Sequence, residues 1–176
     1  MLLLTLIAAQ ALALAPSSKV WIEGDSNLHP WACKATQSAA NVEVDPASTQ
    51  IAQAMDLRVS VNGLDCGEGK MNDKLRDALH ADRHPFIEYH LIRAERVSAW
   101  PLRIRALGAL TINGVTKPVT FVVDLDNRNR AQGKVDILMT DFGVEPPTAL
   151  LVLKTYDKVT VHFDVVATAI DERRAS

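Results

Sequence analysis

Beyond Lys19, apolar and polar residues alternate along most of the chain. In DLRVSV, Leu57, Val59 and Val61 share one face while Arg58, Ser60 and Asn62 share the other. A period of two marks a strand with one buried side, because successive side chains of a pleated strand point to opposite faces. FIEYHLIRAERV sets Ile87, Tyr89 and Leu91 against Glu88 and His90. PLRIRALGALTI aligns Leu102, Ile104, Ala106, Gly108, Leu110 and Ile112. Arg103 and Arg105 begin its other side and, with Arg93, predict a solvated face that becomes covered at Leu107. Gly108 leaves the pleat unfilled and is expected to mark a bend. Val135, Ile137 and Met139 alternate with Lys134, Asp136 and Leu138, and Val159, Val161, Phe163, Val165 and Ala167 form the last inward set. VWIEGDS, WACKATQ and ANVEVD supply earlier strands.

In TINGVTKPVTFVVDLD, Asn113-Gly114 separates two β-rich runs. Asn and Gly best tolerate the two positive φ angles of a type I′ turn, so Ile112 and Val115 should face each other at a hairpin end. Pro118 has no N–H and is expected at an edge or a non-bonded position. Val119, Phe121, Val123 and Leu125 then continue one face.

NDKLRDALHAD breaks the alternation. Leu75, Ala78 and Leu79 fall at helical spacing, Met71 lies one turn earlier, and Asn72 or Asp73 is the expected cap. A second short helix is predicted over Pro147–Val152. About eight strands in series with short turns and one helix predict an all-β closed antiparallel barrel or a sandwich. A barrel of about that size either fills its interior with side chains or holds one ligand.

At 176 residues, 48% hydrophobic and 23% charged, the chain is an ordinary single globular domain. Nineteen basic and 21 acidic residues give a net charge of −2, which offers no basic surface for nucleic acid. Aromatics at 5% supply few stacking platforms for bases.

Residues 2–15 are almost all apolar, with no charge before Lys19. The run is short of the roughly 20 residues a membrane helix needs, and small residues cluster at its end, as in a secretory leader. Residues 1–15 are therefore expected to be a signal peptide and 19–170 the domain, with cleavage after Ala13 avoiding Pro16. The expected location is periplasmic or secreted. In such a compartment Cys33 and Cys66 suggest one disulfide, the alternative being two buried thiols.

His80 and His84 are four residues apart, a spacing that suits a metal on a helix, but Pro85 interrupts that helix and no third ligand clusters with them. No metal site is predicted. Asp25, Ser26 and His29 have the residue types of a hydrolytic triad yet crowd into one hairpin, where turn chemistry explains them. No catalytic residue is assigned. Trp21, Trp31 and Trp100 are candidates for a barrel mouth or its rim.

The strings GALTINGVTKPVTFVVDLD, MTDFGV and VTVHFDVVA resemble the C-terminal half of the YceI-like family of exported lipid-binding proteins. The resemblance is carried by Gly108, Leu110, Thr111, Gly114, Val115, Thr116, Lys117, Pro118 and Val119, and by Asp141, Phe142 and Gly143. GDSNLHPWACKA and LDCGEGKMNDKLRDALHADRHPFIEYHL resemble a branch of that family with one cysteine in each segment, matching Cys33 and Cys66. Similarity spans roughly residues 20–168, although Arg76-Asp77-Ala78-Leu79-His80 departs from the family's Arg-Asp-x-His-Leu pattern.

The resemblance implies a lipocalin-like antiparallel β-barrel of about eight strands with one short α-helix. It also implies a non-catalytic carrier for a long isoprenoid, such as a quinone tail, with no cofactor required. The inward set proposed to line the ligand is Leu57, Val59, Val61, Ile87, Tyr89, Leu91, Ile104, Leu110, Phe121, Val123, Ile137, Met139, Val161 and Phe163. The expected partner is an amphiphilic lipid, with a homodimer as the candidate assembly and neither nucleic acid binding nor integral membrane insertion. Two rivals stand beside it: a structural or stress-response barrel with a filled core, and a hydrolase using His29 or the His80/His84 pair.

Overall fold

The structure, a computed structural model, describes residues 10–44, 52–126, 129–149 and 153–169. The strands are β1 (Gln10–Leu14), β2 (Lys19–Ser26), β3 (Trp31–Ala35), β4 (Ser38–Val44), β5 (Ala52–Ser60), β6 (Leu64–Asp65), β7 (Phe86–Ala99), β8 (Leu102–Ile112), β9 (Val115–Leu125), β10 (Arg130–Leu138), β11 (Thr148–Ala149) and β12 (Leu153–Ala169). The helix α1 (Gly69–Ala78) lies between β6 and β7.

The strands form one antiparallel barrel of eight staves: β1 with β2, β3 with β4, then β5, β7, β8, β9, β10 and β12. Closure depends on the first and last strands. Leu12 pairs with Ala169 of β12 and with Val42 of β4, so β1 seals the seam between them. Residues 10–14 of the segment read as a leader are thus part of the barrel wall.

The β8–β9 hairpin forms as the sequence predicts. Asn113 and Gly114 take φ of 52° and 74°, and Ile112 pairs with Val115. Pro118 pairs with Ala109 on one side, while β9 bonds β10 only over Val123–Leu125, so no β10 partner is denied a proline N–H. Two bulges in β7, between Leu91 and Arg93 and between Arg96 and Ser98, each add a residue and strengthen the local twist.

Two local expectations are corrected. The helix begins at Gly69 with Glu68 as its cap residue, rather than at Asn72 or Asp73. Asn72 is inside the helix, where its side chain accepts from Cys66 N (2.7 Å) and donates to Asp65 Oδ1 (3.0 Å). Gly108 sits within β8 opposite the first β7 bulge and makes room for a ring, since a Cβ there would lie 2.3 Å from Tyr89. Of the helix expected over Pro147–Val152, Thr148 and Ala149 form the two-residue strand β11 paired with β12, and residues 150–152 lie outside the described residues.

Apolar packing is concentrated at one end of the barrel. Val61, Leu64, Leu79, Ile112, Phe142 and Val144 are all buried there. Phe142 belongs to a short 3-10 turn, Met139–Phe142, that ends at Gly143 in the left-handed region. That turn places the Phe142 ring in this cluster, against the cavity wall and at the same end as α1.

Candidate functional site: an apolar bore

The barrel is not filled. A cavity of about 1340 Å³ runs along its interior. Thirteen of the fourteen inward positions chosen from the sequence line it. The exception is Val61, which belongs to the 3-10 turn Val61–Gly63 and is 1% exposed within the end cluster. It continues the alternation of β5 in sequence, but the strand ends at Ser60 and the chain turns away.

Polar lining residues are confined to the ends. Ser26, Asn27, His29, Glu68, Lys70, Lys74 and Thr155 surround the end covered by α1, and Asp126 and Asn129 mark the other. Between them the wall is aliphatic and aromatic. Tyr89, Phe121 and Phe163 form a belt across the bore, with ring centroids 5.6 and 5.5 Å apart. Glycines accommodate two of these rings: Gly108 lies beneath Tyr89, and a Cβ at Gly133 would lie 2.4 Å from Phe163. Nothing local in the chain couples these glycines to the rings, because the contacts cross strands.

Tyr89 Oη is buried without a hydrogen-bond partner. Desolvation pushes its pKa up to about 12, since burial disfavours the phenolate.

At the α1 end, Cys33 of β3 is bonded to Cys66, as expected for the pair, and both line the cavity. The bond fixes the approach to α1 against the β2–β3 hairpin. Asp65 reinforces that approach; its carboxyl is held below the usual range by the Asn72 side chain, then by Gly67 N–H.

The other sequence candidates fall into structural roles. Ser26 Oγ donates to His29 O (2.7 Å) and accepts from Leu28 N (3.2 Å) and His29 N (3.1 Å). Asp25 Oδ1 accepts from Ser26 N, and His29 Nδ1 lies 2.9 Å from Pro30 O. The serine proton is therefore given to a backbone carbonyl rather than to an imidazole, and the three residues build a turn. His80 Nδ1 is 2.8 Å from Asn113 Oδ1, while the His84 ring packs where a Cβ of Gly114 would be. Arg93 pairs with Glu95 and Arg103 with Asp124 on the exposed face, while Arg105 faces Val122 across β8 and β9. Trp31 and Trp21 reach the cavity wall, Trp21 stacks on His162 at 4.9 Å, and Trp100 projects from the β7–β8 tip.

Residues 17–167 match the family of YceI-like domains. No curated protein matches the chain closely enough to be a relative. Among solved structures, BcnA from Burkholderia cenocepacia superposes with a TM-score of 0.73 at 23% identity, covering 86% of this chain and 96% of that one. A polyisoprenoid-binding domain from Saccharophagus degradans, implicated in plant cell wall breakdown, gives 0.68 at 14% identity, covering 93% and 100%. The YCEI protein of Campylobacter jejuni gives 0.64 at 16%, covering 80% and 85%. At these identities the likeness speaks for the fold alone.

Proposed function

Since the chain belongs to the family of YceI-like domains, we propose that it is a non-catalytic carrier of a long-chain isoprenoid or similar amphiphilic lipid, held inside the barrel. One observation carries this reading: a bore of about 1340 Å³ whose polar residues stand only at its ends. That volume exceeds the roughly 300–1,000 Å³ of pockets for drug-sized ligands, which favours a long chain. A hydrocarbon tail offers no hydrogen bonds, so its affinity comes from apolar area removed from water, at about 25 cal/mol per Å² before ordering costs. Between its ends the wall supplies apolar area, interrupted by the unpartnered Tyr89 hydroxyl. Met139 adds an adaptable surface. The open bore weighs against the filled-core rival, and the name of the Saccharophagus degradans domain agrees with a polyisoprenoid ligand. The disulfide is consistent with an oxidising compartment, and we place the protein in the periplasm or outside the cell.

Native mass spectrometry and solvent extraction of protein purified from membrane-containing extracts provide the test. The expected result is a co-purifying lipid. Ligand-free protein that also fails to take up added ubiquinone would overturn the reading.

A further inference from the structure

Eight large apolar side chains are exposed among the described residues: Leu28, Phe86, Ile92, Val97, Trp100, Val122, Leu138 and Tyr156. Only Leu28, 70% exposed, also lines the cavity. Among the described residues, a large exposed apolar side chain therefore borders the bore at the turn between β2 and β3. The bonds of Ser26 Oγ to Leu28 N, His29 N and His29 O hold that turn, and Asn27 Oδ1 accepts from Lys154 N at 2.8 Å. Leu28 is thus presented outward by a hydrogen-bonded loop.

Opposite the turn lies α1. Lys70 and Lys74, one helical turn apart, both line the same mouth, with Glu68 the single acid lining this end among the described residues. The disulfide between Cys33 and Cys66 ties the two sides of the mouth together. An exposed leucine flanked by lysines matches an anionic bilayer: the apolar group enters the headgroup boundary while ammonium groups meet acidic lipids. Trp100 is more exposed, at 94%, but it stands at the β7–β8 tip away from the cavity wall, so docking there would not bring a lipid to this mouth.

We propose that Leu28, Lys70 and Lys74 form a docking face for an anionic lipid bilayer, through which lipid enters and leaves the bore. The loading role rests on the carrier reading; the docking itself does not. The experiment is co-flotation of the unliganded full chain with vesicles of phosphatidylethanolamine and phosphatidylglycerol, or of phosphatidylcholine alone, at low and high salt. Preferential flotation with the phosphatidylglycerol vesicles, released by salt, is expected. Leu28→Asp and the Lys70→Glu/Lys74→Glu double variant should each lose about tenfold or more in vesicle affinity, while Trp100→Ala floats like the parent. All positions are exposed or at the rim, and circular dichroism checks that each variant is folded. A parent protein that does not prefer anionic vesicles overturns the proposal. So do Leu28 and lysine variants that float unchanged, or loss of flotation in Trp100→Ala. Uptake of the apolar fluorophore N-phenylnaphthylamine by the parent protein in vesicle-free buffer separates the two readings. If uptake fails, the carrier reading falls while the flotation result stands by itself.

Discussion

His80 Nδ1 and Asn113 Oδ1 lie 2.8 Å apart and join the exit of α1 to the tip of the β8–β9 hairpin. The same Asn113 amide donates to Phe142 O and Gly143 O, each at 3.3 Å. One turn residue, at φ 52°, thereby holds the helix, the hairpin and the Phe142 turn together. Asn113→Ala should destabilise the protein by about 1–3 kcal/mol, because it removes these bonds and forces alanine into the left-handed region. Asn113→Gly keeps the backbone and loses only the bonds, so its loss should be smaller. Urea unfolding of both variants checks the order.

Tyr89 offers a test with a defined pH sign. Its hydroxyl is buried and unpartnered, so Tyr89→Phe should be neutral or stabilising by about 1 kcal/mol at neutral pH. The folded pKa of about 12 stands above the ordinary tyrosine value of 10.0, so the folded state holds the proton more tightly. The associated stability is complete below pH 10 and is lost as pH rises towards 12. The parent should therefore lose more stability than Tyr89→Phe across that window, measured by urea titration at several alkaline pH values. Parallel losses would show that Tyr89 is not the group responsible.

Val123 and Val61 both looked inward from sequence but occupy different places. Val123 lines the bore, whereas Val61 packs in the end cluster. Val123→Trp should block lipid uptake with the fold retained. Val61→Ala should cost about 2 kcal/mol by leaving a cavity and leave uptake unchanged. Fluorophore titration and thermal unfolding of both variants give the comparison, and an unchanged affinity in Val123→Trp would remove that residue from the ligand wall.

The Cys33–Cys66 bond spans a separation of 33 residues. On the chain-entropy account such a loop contributes roughly 3–4 kcal/mol, so Cys33→Ser/Cys66→Ser should lower stability by about that amount. Thiol titration of the unreduced parent should find no free thiol. Two titratable thiols would refute the pairing.

The seam strand constrains any cleavage of a leader. Leu12 is buried and joins β12 to β4, so removal of residues through Ala13 or Ala15 would take away its pairing. Ala9-Gln10-Ala11 offers a small-residue pattern that ends before Leu12, although it overlaps the first two residues of β1. A processed chain is expected to begin at Leu12, which keeps these pairings, and the intact mass of the purified protein decides it. A start at Leu14 or Pro16 would count against this placement.

Local chemistry in the sequence determined which side of each strand turns inward, because face alternation follows from the pleat. It also determined the Asn113-Gly114 hairpin, because few residues accept those φ angles. The helix was visible through Leu75, Ala78 and Leu79, but its start was not, because Asn72 bonds to Cys66 N instead of capping. Only the tertiary structure decided that the inward residues surround a space rather than fill one. Stave number and the glycine slots under Tyr89 and Phe163 are relations between strands distant in sequence, and together they set the width of the bore. The place of Leu28 was likewise invisible in sequence, because an exposed leucine acquires meaning only when the cavity opens beside it.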